Sequence, residues 1–147
     1  GELDAIAQVV TLAKQDGAAR ALLLKVPVPS HSPLMTEVST QLAAAMSGVE
    51  LTKPNGIYLA NYSGRAVRQV APMREDLTAN LKHPVYFEAM MGVARDYQPD
   101  SIVNFAPGQP FRKVLAQKFG DLHQINLNQM SVSDAAFLLN KWERGSY

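Results

Sequence analysis

The stretch Lys25–Met35, "KVPVPSHSPLM", decides how this chain reads. A nearly unbroken apolar run, "ALLLKV" (21–26), leads into it and stops at Pro27, as a short buried strand does. Beyond the histidine, Ser32 stands where a helix N-cap belongs and Pro33 where the first helical residue belongs. Leu34, Val38, Leu42 and Met46 then recur on one helical face, which Gly48 closes. The stretch is therefore a strand-to-helix junction with a titratable imidazole, His31, in the connection.

Working outward, the same alternation continues. Upstream, Leu3, Ile6, Val10 and Ala13 give residues 2–16 a helical period, with Gly17 as the stop. Downstream, "GIYLAN" (56–61), "SIVNFA" (101–106) and "HQINL" (123–127) read as strands. Helices are expected over 72–82, 84–97, near 109–119 and over 131–142, the last capped by Ser131. Strands alternating with helices predict an α/β fold with a parallel sheet. Sites in such folds gather beyond the carboxyl ends of strands. His31 follows one strand, Asn61 closes another, and Ala106-Pro107-Gly108 follows a third.

Composition narrows the function. The 147 residues suit one domain with a real core, 47% of them hydrophobic and only 18% charged, which argues against disorder. A formal net charge of +1 gives no reason to expect nucleic acid or an anionic membrane as a partner. No apolar run approaches the roughly 20 residues of a membrane span, and no signal peptide is visible. Cysteine is absent. That removes thiol nucleophiles, thiolate metal sites and disulfides, and fits a cytoplasmic location.

The chemistry on offer is incomplete. His83 precedes a proline and His123 opens a short strand, so both read as surface or edge residues. His31 is the candidate base, with a structural loop residue as the alternative. No pair of histidines or carboxylates has the helical spacing of a metal site, and no glycine-rich phosphate loop is present. The strand-to-helix nucleophile signature G-x-S-x-G is missing, and Ser32 is better explained as a cap. A general base without a nucleophile to activate is the most informative feature of the sequence.

The histidine stretch "VPVPSHSPLM" resembles the histidine motif of the malonyl-CoA:acyl-carrier-protein transacylases and related polyketide synthase acyltransferase domains. The likeness continues in order through "GAARALLLKVPVPSHSPLM" (17–35), "GIYLANYSGRAV" (56–67), "LTANLKHPVYFEAM" (77–90) and "VNFAPGQPFRKVL" (103–115). Phe87 stands at the family's usual tryptophan, and Asn104 and Ala106 depart from its usual acid and glycine. "YLANYSGRAV" with "REDLTANLKHPV" is most similar to the transacylase subunit of bacterial malonate decarboxylase.

The resemblance implies the back half of an α/β-hydrolase-like acyltransferase domain. Residues 1–26 would be the last helix and strand of a ferredoxin-like subdomain, and 27–147 the return into the large domain. The serine nucleophile, the arginine that binds the malonyl carboxylate and the oxyanion-hole glutamine would lie in a missing N-terminal half. His31 would be the general base, oriented by the backbone carbonyl of Asn80. Ser30 would border the acyl pocket, and Asn61 would line the cleft. No tightly bound cofactor is implied. The substrates would be malonyl-CoA and the phosphopantetheine-type thiol of an acyl carrier protein, with other malonate decarboxylase subunits as further partners. Arg65, Arg68 and Arg74 are the expected basic docking patch for that carrier. The competing readings are a non-catalytic α/β protein-interaction module and a small-ligand-binding half-domain.

Overall fold

The computed structural model describes residues 1–108 and 111–145. Helix α1 (Leu3–Gln15) forms where the apolar period places it. It ends in paired bonds from Gly17 N–H to the Lys14 carbonyl and from Ala18 N–H to that of Ala13, with Gly17 at φ 88°.

The expected strand at 21–26 does not form. Leu22, Leu23, Leu24 and Val26 are exposed, Leu24 at 67%. A strand is defined by a neighbour that takes its backbone groups, and no described strand pairs with this segment. With Val9, Val10 and Ala13 of α1, Leu22 and Leu24 instead line a shallow apolar groove of about 550 Å³.

Ser32 also differs from expectation. Its hydroxyl donates to the Pro29 carbonyl at 2.7 Å and caps no helix N–H. A single 3-10 turn, Pro33–Met35, precedes helix α2 (Thr36–Ala45). The inward face is Met35, Ser39, Leu42 and Met46, whereas Leu34 and Val38 are exposed. The face is turned because α2 docks through a polar contact: buried Ser39 donates to the Thr78 carbonyl at 2.7 Å.

Strand β1 (Tyr58–Leu59) pairs antiparallel with β2 (Ala66–Val67), a two-residue strand that the sequence did not announce. Between them the corner closes through Ala60 N–H to the Arg65 carbonyl (2.9 Å) and Gly64 N–H to the Ala60 carbonyl (2.8 Å). Helix α3 (Val70–Ala79) runs into a 3-10 turn, Asn80–Lys82. His83 is extended, as a residue before proline should be. Helix α4 (Phe87–Asp96) begins three residues later than Pro84 suggested, because Tyr86 N–H is taken by the Asn61 carbonyl at 2.8 Å.

Strand β3 (Ser101–Asn104) pairs parallel with β4 (His123–Asn126), Ser101 opposite His123 and Asn104 opposite Asn126. Helix α5 (Arg112–Lys118) makes the crossover; of the helix expected near 109–119, residues 109 and 110 lie outside the described residues. Helix α6 (Val132–Arg144) starts at Ser131, whose hydroxyl accepts the Asp134 N–H at 3.1 Å. The fold is thus mixed α/β with the expected parallel pair. The described strands form two separate two-stranded sheets, not one continuous sheet.

Two buried clusters hold it. Phe119, Ile125, Leu115 and Ala135 form one, with Gln124 donating to the Phe119 carbonyl at the end of α5. Met35, Ala60 and Met73 form the apolar part of the other, around α2, α3 and β1. Helix α4 is tied to the first cluster by Phe87 stacked on Phe111 and by Arg95, which ion-pairs with Asp121 and lies over the Phe119 ring. No helix among the described residues is long and apolar enough to cross a membrane.

Candidate active site

His31 is held at two points by one turn. Its backbone N–H donates to the Leu81 carbonyl at 2.8 Å, and its ring Nδ1 lies 2.9 Å from the Asn80 carbonyl. A carbonyl can only accept, so Nδ1 carries a proton, and in the neutral ring the lone pair is on Nε2. The backbone of His31 sits at φ 63°, a left-handed conformation that non-glycine residues adopt at a cost of about 1–3 kcal/mol. The two bonds to the 80–82 turn are what hold it there. The imidazole is exposed, so Nε2 is open to a reacting group.

The turn is itself anchored. Asn80 Nδ2 donates to the Asp76 carbonyl at 2.8 Å, so the Asn80 side chain matters as well as its backbone oxygen. Asp76 is fully buried. Its carboxylate accepts the Tyr62 N–H at 3.0 Å and the Tyr58 hydroxyl. Burial, and then the adjoining Asp76 carboxylate, push the Tyr58 phenol well above its ordinary value, so it remains a donor. The Tyr62 amide is the residue after Asn61. Asn61 is therefore set by the same carboxylate that lies one helical turn before Asn80.

The structure thus joins His31 and Asn80 directly and brings the Asn61 corner onto the same helix. Ser30 is exposed beside His31. The Ala106-Pro107-Gly108 turn pairs instead with the Asn128 side chain, which accepts the Gly108 N–H at 3.1 Å. Asp76 and Tyr58 were not singled out in the sequence. No local pattern marks them, because Asn80 meets only the main-chain carbonyl of Asp76 and Tyr58 lies 18 residues away.

Of the three arginines expected to dock a carrier, Arg74 is already engaged. Its guanidinium donates to the Met46 carbonyl at 2.5 Å and the Val49 carbonyl at 2.6 Å, closing the end of α2. Arg65 and Arg68 are exposed, with Arg68 reaching the Tyr97 hydroxyl at 3.4 Å. His83 and His123 are surface residues as expected, and His123 stacks on Trp142 at 4.1 Å between ring centres. That stack borders a cleft of about 520 Å³, lined also by Asp100, Asp121 and Glu143, that does not include His31. Among the described residues there is no group of three metal-ligating side chains.

On this mixed α/β scaffold the exposed His31 has its Nδ1 fixed by a backbone carbonyl and its Nε2 facing away from that contact, an arrangement that can serve a general base. Proteins of one kind are similar to this chain. The malonyl CoA-acyl carrier protein transacylase of Haemophilus influenzae is 29% identical over 136 residues, which are 92% of this chain and 43% of that protein. That of Bacillus subtilis is 29% identical over 84% of this chain and 37% of its own length. The crystal structure of the malonyl-CoA:acyl carrier protein transacylase of Xanthomonas oryzae superposes with a TM-score of 0.80 at 26% identity. It covers 96% of this chain and 44% of that one. The chain therefore spans less than half the length of the relatives it matches. No protein-family profile matches it.

Proposed function

We propose that this chain carries the general-base side of a malonyl-CoA:acyl-carrier-protein transacylase. The observation that supports this reading best is the 2.9 Å contact of His31 Nδ1 with the Asn80 carbonyl, which leaves Nε2 as a base. In this reading Nε2 takes the proton of a serine hydroxyl as its oxygen attacks the thioester carbonyl of malonyl-CoA. The tetrahedral intermediate collapses, the carbon–sulfur bond breaks, and the imidazolium returns the proton to the departing thiol. The carrier's prosthetic-group thiol then attacks the resulting malonyl ester as the same imidazole removes its proton; the ester carbon–oxygen bond breaks and the imidazolium returns the proton to the serine oxygen.

The serine, the carboxylate-binding arginine and the oxyanion hole come from a part of the protein outside these residues. Residues 1–26 belong to a small subdomain and 27–147 to the large acyltransferase domain. Ser30 borders the acyl group and Asn61 the cleft. The transfer serves fatty-acid synthesis, or malonate decarboxylation, to whose transacylase subunit "YLANYSGRAV" and "REDLTANLKHPV" are similar. The test is acyl-enzyme formation from labelled malonyl-CoA. The isolated 147 residues should take up no label, and His31→Ala in the complete protein should slow transfer by about 10²–10⁴-fold. A fully active variant would remove His31 as the base.

A further inference from the structure

We propose that Asp76 is a positioning residue for His31: its buried carboxylate fixes the last turn of α3, and with it the carbonyl that decides which imidazole nitrogen bears the proton. This rests on the reading of His31 as a general base. A carboxylate with no exposure is costly wherever its hydrogen bonds are not supplied, and a leucine would fill an inward helix position without that cost. Both bonds made by Asp76 run to one place. Tyr58 of β1 and the backbone of Tyr62 both donate to it, pinning the β1 corner to α3.

One turn further on, Asn80 folds back onto the Asp76 carbonyl, and Asn80 and Leu81 receive the two bonds from His31. The link from the corner to the imidazole runs through these hydrogen bonds and the main chain of Asp76 and Asn80 between them. It ends on a residue in a strained backbone conformation, which persists only where its surroundings over-determine it. Loosening the path at Asp76 therefore releases the Asn80 carbonyl, and the neutral imidazole redistributes between its two tautomers.

The experiment is nitrogen-15 NMR of the His31 ring above the histidine titration range, in the unaltered protein and in Asp76→Ala and Tyr58→Phe. The unaltered ring should be the Nδ1–H form. Asp76→Ala, which removes both bonds to the corner, should shift it toward Nε2–H, and Tyr58→Phe, which removes one, should shift it less. In the complete transacylase, Asp76→Ala should lower kcat by roughly 10- to 100-fold, as loss of alignment does, and leave the KM for malonyl-CoA in place. A ring that stays wholly Nδ1–H in whichever of the two variants folds overturns the proposal. A tautomer shift in a protein that never forms a malonyl ester keeps Asp76 in this role and removes the transacylase reading instead.

Discussion

Replacing Gly64 with alanine tests the corner that carries Asn61. Gly64 has φ 66°, and an added Cβ would lie 2.6 Å from the Ala89 Cβ and 3.3 Å from the Tyr86 Cβ. The left-handed backbone costs an alanine about 1–2 kcal/mol. The overlap is a second cost. Carbon atoms prefer about 3.5–4.0 Å, so the corner and α4 must separate by about 1 Å at a point where both carry backbone bonds. Overpacking of that size costs about 1–3 kcal/mol, giving a total of about 2–5 kcal/mol.

Two other glycines separate these costs. Gly17 has φ 88° with nothing within 4 Å of an added Cβ, so Gly17→Ala carries the backbone cost alone. Gly92 lies within α4 with open space around it, so Gly92→Ala should stabilise by about 0.5–1 kcal/mol. Urea unfolding followed by circular dichroism measures all three. If Gly64→Ala costs no more than Gly17→Ala, the close approach of α4 to the corner is not as described.

Tyr58 should make stability fall in alkali. Its folded-state value is raised, so its contribution is complete below the unfolded value near 10 and is lost as pH rises through the folded one; the excess loss should vanish in Tyr58→Phe, measured by denaturant midpoints from pH 9 to 12. Ser131→Ala should cost about 1 kcal/mol through loss of the bonds to the Asp134 N–H and carboxylate, read from the same unfolding curves, and Ser131→Thr, which keeps the hydroxyl, should restore most of it. Charge reversal at Arg65 and Arg68 in the complete enzyme should slow use of an acidic carrier at low salt and spare coenzyme A binding; unchanged carrier kinetics would remove this surface.

What the sequence made legible was set by local signals. Ser131 as a cap placed α6, and short apolar runs alternating with helical periods announced the parallel pair of "SIVN" and "HQIN". The His31–Asn80 contact was reachable only through the family resemblance, since the two residues are 49 apart and only a backbone atom is used on one side. The misses are tertiary. The leucines at 22–24 have a strand's composition but no neighbour to pair with. The face of α2 is turned by Ser39, a polar residue that no hydrophobic period would count inward. Asp76 looks like any helix-surface acid until the fold brings Tyr58 and Tyr62 over it.

The uncovered run at 21–26 has a practical meaning for handling the polypeptide. Six residues with a single charge, Lys25, and no proline within them meet the requirements for growing a cross-β ladder with copies of themselves. Pro27 and Pro29 interrupt such a ladder on one side, because neither can donate a rung. On the other side, Gly17 to Arg20 offers no such barrier. In the isolated chain a charge placed at Leu23 should therefore raise the concentration at which it stays clear.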